Sequence, residues 1–189
     1  MRLYHHPISS CSRRVMLAAL HMGTPLELTE VDLLSEQDRR RLVKLNPNNK
    51  LPVLQDGEFT LWESCAIMQY LAERTYGQTL YPDNVQRRAD INHWMFWAVQ
   101  HFAPPISVMC YERIWKGLSG RGAADPAELE RAGRQWVAGD QLSLADMALA
   151  PSLSYIQQAK LPLTQYVHIM AWLGRMTALE AWQQTMPGR

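Results

Sequence analysis

The stretch Leu51-Pro52-Val53-Leu54-Gln55-Asp56-Gly57-Glu58-Phe59-Thr60-Leu61-Trp62-Glu63-Ser64 decides the fold class. Leu51 to Leu54 is a short apolar run entered through proline, which lacks a ladder N–H and therefore belongs at the start of a strand. Asp56-Gly57 is a hairpin turn signal, and Phe59-Thr60-Leu61-Trp62 supplies the antiparallel return. Glu63-Ser64 then opens a helix whose apolar positions Ile67, Tyr70 and Leu71 run down to Gly77.

Toward the N-terminus, Ser35 to Leu45 reads as an amphipathic helix ended by the turn residues Asn46-Pro47-Asn48-Asn49. Its basic run, Arg39-Arg40-Arg41 with Lys44, alternates with Leu42, Val43 and Leu45 and reads as a solvated face. Leu26, Leu28 and Val31 form a short strand behind the stop signal Gly23-Thr24-Pro25. At the start, the strand Arg2-Leu3-Tyr4 passes through Ile8-Ser9-Ser10-Cys11-Ser12 into a helix carried by Val15, Met16, Ala19, Leu20 and Met22. The order is therefore β-α-β-α-β-β-α. The first N–H groups of such a helix lack internal partners and carry partial positive charge, so an anion or thiolate there is stabilised. Ser9, Ser10 and Cys11 supply hydroxyl donors and a candidate nucleophile at that spot.

Composition changes at Tyr81-Pro82-Asp83-Asn84, so residues 78–84 read as a linker between a 1–77 domain and an all-helical 85–189 domain. Val85 to Trp115 is helical and aromatic-rich, with a kink or break expected near Ala103 because Pro104-Pro105 interrupts it. Gly117 to Asp125 reads as a loop and Pro126 to Ala138 as a short helix. Leu142-Ser143-Leu144-Ala145-Asp146-Met147 starts the next, with Ser143 as N-cap. Pro151 is expected to bend that helix, and His168–Met176 and Ala178–Gln184 close the chain.

The 189 residues, 47% of them hydrophobic, are enough for a sizeable core. A net charge of +1 gives no field to gather nucleic acid or an anionic membrane surface. The three cysteines, Cys11, Cys65 and Cys110, fit neither a disulfide framework nor a zinc spacing and suggest a reducing compartment. The six histidines show no metal-ligand spacing either. Without an apolar leader or an 18-residue apolar window, a cytoplasmic chain with no membrane span is expected.

Four segments taken together resemble the cytosolic glutathione S-transferases, in the right order. They are Ser9-Ser10-Cys11-Ser12 before a helix, Asn46-Pro47-Asn48-Asn49-Lys50-Leu51-Pro52-Val53-Leu54, Leu61-Trp62-Glu63-Ser64-Cys65-Ala66-Ile67, and Leu142-Ser143-Leu144-Ala145-Asp146. The resemblance implies a thioredoxin-like N-terminal domain (βαβαββα) followed by an all-helical domain, glutathione as co-substrate, and a homodimer. It also implies a cis bond at Leu51-Pro52 that frees the Leu51 backbone to pair with the extended tripeptide like an added strand. Ser64 would capture the γ-glutamyl carboxylate at a helix N-terminus and Glu63 the ammonium, while Asn49 and Lys50 match positions that reach the peptide or its glycyl carboxylate.

For activation of the glutathione thiol, Ser9 aligns with the serine of the theta and zeta classes and Cys11 with the cysteine of the bacterial beta class. Ser9 ranks first, Cys11 second, Ser10 third and Tyr4, on the preceding strand, last. The electrophile is expected between the domains, near His93, Trp94, Trp97, His101, Tyr111 and Trp115, although core packing or dimer contact is the simpler reading of those rings. One of Arg13 and Arg14 is a candidate to face the bound anion. Against the family pattern the 126–138 helix is short: at 1.5 Å per residue it spans about 20 Å, while 85–115 would span about 46 Å. The leading reading is conjugation of glutathione to a small apolar electrophile. The alternatives are a zeta-like isomerase, a Cys11-based thiol transferase, and a non-catalytic interaction protein of this fold.

Overall fold

The computed structural model describes residues 1–118, 142 and 144–186. Its first seven elements are β1 (Arg2–His5), α1 (Ser10–Met22), β2 (Glu27–Glu30), α2 (Glu36–Leu45), β3 (Val53–Asp56), β4 (Phe59–Trp62) and α3 (Ser64–Arg74), in the expected order. The strands form one sheet in the order β2-β1-β3-β4. β1 runs parallel to β2 with Leu3 opposite Leu28, and antiparallel to β3 with Leu3 opposite Leu54. β4 returns beside β3, Leu54 facing Leu61, through a turn in which Gly57 takes φ 59°. This is the thioredoxin-like arrangement.

The β1–β3 ladder stops at Tyr4 opposite Val53. Leu51 and Pro52 thus lie just outside the sheet, joined by a cis bond as the resemblance implied. Two residues of local chemistry fix the ends of α1. The Ser9 side chain accepts from the Ser12 N–H at 3.2 Å, and Gly23, left-handed at φ 71°, donates to the Ala19 and Leu20 carbonyls.

Leu3, Val15, Leu17, Ala18, Leu54, Ile67, Met68 and Leu71, from the sheet and from α1 and α3, are buried in one cluster, each Leu, Ile, Val or Met contributing about 1.5–3 kcal/mol. A smaller cluster of Tyr4, Val31, Leu42 and Val53 lies beneath α2, whose Arg39, Arg40 and Arg41 are exposed as expected.

The remaining helices are α4 (Val85–Trp97), α5 (Ala103–Cys110), α6 (Lys116–Leu118), α7 (Leu144–Leu149), α8 (Val167–Thr177) and α9 (Glu180–Gln184). The break expected near Ala103 is a π-helical turn, Ala98–Phe102, in which the Ala103 N–H reaches five residues back to the Ala98 carbonyl. α5 then continues that path with Pro104 in its first turn, where the ring offers no N–H to the turn before it. A second π-helical turn, Tyr111–Trp115, leads into α6. That helix includes Gly117, which the sequence had suggested lay in a loop; the chain instead continues its helical path one turn further. The rest of that loop, the 126–138 helix and the N-cap Ser143 lie outside the described residues. Pro151 follows α7 in a 3₁₀ turn, Ala150–Leu153. Asp146 accepts the Trp172 indole N–H at 2.8 Å, tying α7 to α8.

The large core is continuous from sheet to helices: Leu54 and Met68 belong to the same cluster as Met95, Met147, Leu153 and Trp182. α1 stands at its centre, touching α3, α7 and α9. No helix among the described residues is long and apolar enough to cross a membrane.

Candidate functional site

A cleft of about 310 Å³ opens where the N-terminus of α1, the Leu51–Pro52 bend and the N-terminus of α3 face the π-helical turn and α5. Its wall includes Cys11, Lys50, Leu51, Pro52, Glu63 and Ser64, six of the nine positions picked from sequence. Ser9, Ser10 and Asn49 do not line it. Ser9 spends its oxygen lone pair as the α1 N-cap, which leaves the hydroxyl hydrogen available to a further acceptor. Ser10 is the first residue of α1. Asn49 holds the bend from behind in a left-handed conformation, φ 53°, its N–H on the Asn46 carbonyl at 2.9 Å. Tyr4 points elsewhere: it is buried and donates to Gln55 Oε1 at 3.1 Å.

Asn46, read from sequence as a turn residue at the start of the 46–54 segment and given no role of its own, organises the bend. Its Nδ2 donates to the Lys50 carbonyl at 2.8 Å, while its Oδ1 accepts from the Asn48 N–H at 3.0 Å and from Asn48 Nδ2 at 3.2 Å. A short polar side chain followed by Pro47 was the available signal. Leu51, beyond the end of the ladder, keeps its backbone N–H and C=O outside the sheet's pairing.

Ser64 is buried at the first position of the eleven-residue α3, and the exposed Glu63 precedes it at φ 72°, a conformation that non-glycine residues rarely adopt. Beneath Ser64 lies Arg14, 1% exposed, whose Nη1 donates to Ser64 Oγ at 3.4 Å and approaches Cys65 Sγ at 3.8 Å. Burial pushes the Cys65 thiol up, with Arg14 pulling against it; burial pushes Cys110 up to about 11. Of the three cysteines, Cys11 is the one in the cleft wall.

The two arginines that looked alike in sequence separate completely. Arg13 turns to the C-terminal helices, donating to Ser154 Oγ, to the Trp182 carbonyl at 3.0 Å and to Thr185 Oγ1 at 3.3 Å. Arg14 turns to α3 and the cleft.

The opposite wall is Val99, Ala103, Pro104 and Ser107, small residues that form no motif and were missed. The expected aromatic residues do not line this cleft. Trp94 packs edge-on to Trp97 at 5.9 Å, Trp97 stacks on Phe102 at 5.9 Å, and Trp115 meets Tyr155 edge-on at 5.1 Å. Tyr155 also donates to the Ile8 carbonyl at 3.5 Å, a contact from the helical part onto the turn before α1. Among the described residues no cluster of three His, Cys, Asp or Glu is placed to hold a metal ion.

Two family models match the chain: the N-terminal domain of glutathione S-transferase over residues 1–73 and its C-terminal domain over residues 123–180. The chain belongs to the glutathione S-transferase family. A glutathione S-transferase F10 of Arabidopsis thaliana is 28% identical over 200 residues, covering 94% of this chain and 93% of that one. The structure resembles glutathione transferase F7 of Populus trichocarpa with a TM-score of 0.87 at 23% identity, over 97% of this chain and 96% of that one. It also resembles a glutathione S-transferase-I bound with lactoylglutathione, TM-score 0.84 at 21% identity, over 97% of each chain. The family expected from sequence is borne out, but its class is corrected: the relatives are of the plant phi type, not bacterial theta-, zeta- or beta-like. The Ser-Ser-Cys-Ser turn on which that class rested is a helix cap before it is a class marker, since Ser9 would be favoured at this N-cap in any class.

Proposed function

We propose that this glutathione transferase binds glutathione in the 310 Å³ cleft and directs its thiolate at a small apolar electrophile held against the helical wall. One observation carries the reading: the Leu51–Pro52 bend, the Glu63–Ser64 helix start and the α1 turn, far apart in sequence, line a single cavity. In it the Leu51 backbone pairs with the cysteinyl residue as an added strand, Ser64 receives the γ-glutamyl carboxylate and Glu63 its ammonium, with Lys50 toward the glycyl end and Asn49 shaping the bend behind it.

The sulfur lies at the α1 turn, where the Ser9 hydroxyl donates to it. A free thiol of pKa about 8.5 is only about 3% thiolate at pH 7, and a hydrogen bond to a charged group is worth roughly 1.5–3 kcal/mol, or about one to two pKa units. One hydroxyl with a helix N-terminus is therefore enough to make a large share of bound glutathione nucleophilic. The thiolate attacks the electrophilic carbon, a thioether forms, and a leaving group departs with the bonding pair.

The position of Cys11 in the cleft wall supports a second reading, thiol transfer, in which the Cys11 sulfur takes the glutathionyl group from a mixed disulfide and releases the other thiol. A cytoplasmic homodimer, divided into domains 1–77 and 85–189, completes the proposal. Retention on immobilised glutathione, with turnover of an activated aryl chloride, tests the main reading. Failure to be retained, with no rise in melting temperature in millimolar glutathione, removes both enzymatic readings.

A further inference from the structure

Tyr155 reaches from the helical part to the turn before α1, where its hydroxyl donates to the Ile8 carbonyl at 3.5 Å. Among the described residues, the other hydrogen bonds of residues 6–9 stay within residues 6–13. The Ser9 N–H donates to the His6 carbonyl at 3.0 Å, the Ile8 N–H to His6 Nδ1 at 3.3 Å and the His6 N–H to Ser12 Oγ at 3.4 Å. The Ser12 N–H reaches Ser9 Oγ at 3.2 Å and the Arg13 N–H the Ser9 carbonyl at 2.9 Å. Those bonds shape the turn from within, and the Tyr155 bond ties it to a distant part of the fold.

That bond falls on one particular peptide group. The Ile8 carbonyl and the Ser9 N–H share a plane, so Tyr155 holds one edge of it and the His6 carbonyl holds the other. Rotation of the plane would carry the Ser9 Cα with it. Because the Ser9 oxygen already accepts from the Ser12 N–H, the direction left to its hydroxyl hydrogen follows from where the backbone sets that Cα.

Tyr155 stands on a braced segment. Ser154, just before it, donates to the Pro151 carbonyl at 2.6 Å and accepts from Arg13. The Tyr155 ring meets Trp115 edge-on at 5.1 Å, and Arg113 donates to the Ala159 and Lys160 carbonyls at 2.5 and 2.8 Å. Burial raises the pKa of Tyr155, with the charge of Arg13 opposing, so the phenol is a protonated donor at neutral pH. Ile8 is exposed, so water can satisfy its carbonyl when the phenol is absent; water does not hold the peptide at a fixed angle.

Resting on the reading that the Ser9 hydroxyl stabilises the glutathione thiolate, we infer that Tyr155 is a positioning residue for that step, its hydroxyl aligning Ser9 through the Ile8–Ser9 peptide. Thiol activation then depends on a contact from the helical part, made without any atom of Tyr155 touching the sulfur.

Tyr155→Phe removes the hydroxyl and keeps the ring against Trp115. The readout is the thiol pKa of bound glutathione, titrated through the ultraviolet absorbance of its thiolate. It is measured on the native chain, Tyr155→Phe, Ser9→Ala and the double variant, with circular dichroism to establish folding. Tyr155→Phe is expected to raise that pKa by about half to one unit, roughly a three- to tenfold loss of thiolate and of kcat below the pKa, with glutathione binding nearly unchanged. In the Ser9→Ala background the same substitution is expected to add nothing, because a residue acting through Ser9 has no hydroxyl left to align. A folded Tyr155→Phe with the native thiol pKa overturns the inference. A full additional shift in the double variant overturns it too, since Tyr155 then acts elsewhere than on Ser9, and loss of fold in Tyr155→Phe assigns the hydroxyl to structure and does the same. If the native protein leaves the bound thiol at its solution pKa, or Ser9→Ala does not move it, the functional reading falls and this inference with it; a native, Ser9-dependent shift that Tyr155→Phe leaves intact removes the inference alone.

Discussion

The guanidinium of Arg13 lies 3.8 Å from the centre of the Trp182 ring and donates to the Trp182 backbone carbonyl at 3.0 Å. The helix that begins at the Ser9 turn is thereby fastened, 169 residues later in sequence, to α9. Burial lowers the pKa of Arg13 to about 10, so it remains a cation at neutral pH and needs all of these contacts.

Arg13→Met removes those hydrogen bonds and the cation–π contact at once. A cost of about 2–4 kcal/mol is expected, or a fall of roughly 5–15 °C in melting temperature for a chain of this size. Arg13→Lys is expected to recover little, because a point charge reproduces neither the stacking nor the three-way donation. Thermal unfolding followed by circular dichroism measures both; wild-type stability in either variant contradicts the clamp.

Ser9→Ala should do two separable things. Loss of the N-cap lowers stability by about 1 kcal/mol, and, on the proposed role of the hydroxyl toward the thiolate, conjugation falls by about ten- to a hundredfold. Cys11→Ala is expected to leave conjugation largely intact and to abolish any glutathionylated protein seen by mass spectrometry. The reverse pattern, with Cys11→Ala inactive and Ser9→Ala active, makes thiol transfer the main activity.

Asn46→Ala withdraws the three hydrogen bonds that shape residues 46–50. On the proposed binding mode, in which the bend holds the peptide and not the reacting sulfur, the expected result is a raised KM for glutathione with kcat changed little, together with a stability loss of about 1–3 kcal/mol. Steady-state kinetics with glutathione varied separates this outcome from a general loss of enzyme, which would lower kcat alone.

His5, buried at the end of β1 with Nδ1 unpartnered, gives a pH signature. Burial lowers its pKa below the ordinary 6.5; the charge of Glu30 opposes this and that of His6 adds to it. Below pH 6.5 the unfolded chain takes up a proton that the folded chain refuses, so the stability present at neutral pH is lost as pH falls through that range. His5→Leu should flatten the difference in melting temperature between pH 7.5 and pH 5 relative to the native chain; an unchanged difference assigns the acid sensitivity to other groups.

The order of strands and helices was legible because each depends on neighbours in sequence: Asp56-Gly57 for the hairpin, Ser9 and Gly23 for the two ends of α1, alternation for the strands. The cleft was legible where a motif demands a particular residue, as at Pro52 and Ser64. Arg13 and Arg14 were inseparable because adjacent helix positions differ by about 100° in direction, and only the assembled fold says what stands on each side. The wall from Val99 to Ser107 was invisible for the opposite reason: its residues are small, and their importance lies in leaving room. The roles of Asn46 and of Tyr155 on the Ile8 carbonyl arise from tertiary contact and leave no pattern of their own.

The π-helical turn Ala98–Phe102 amounts to one extra residue wound into an otherwise α-helical path. Deleting any one residue there would let the helix close into regular α geometry, and everything beyond would swing by about 100° about its axis. Pro104 and Ser107 would leave the cleft wall while keeping their sequence neighbours and their helix. This single insertion therefore acts as an indexing pin: it sets which edge of the helical part confronts the cleft, and a one-residue change in length re-aims that edge while the sequence of α5 stays the same.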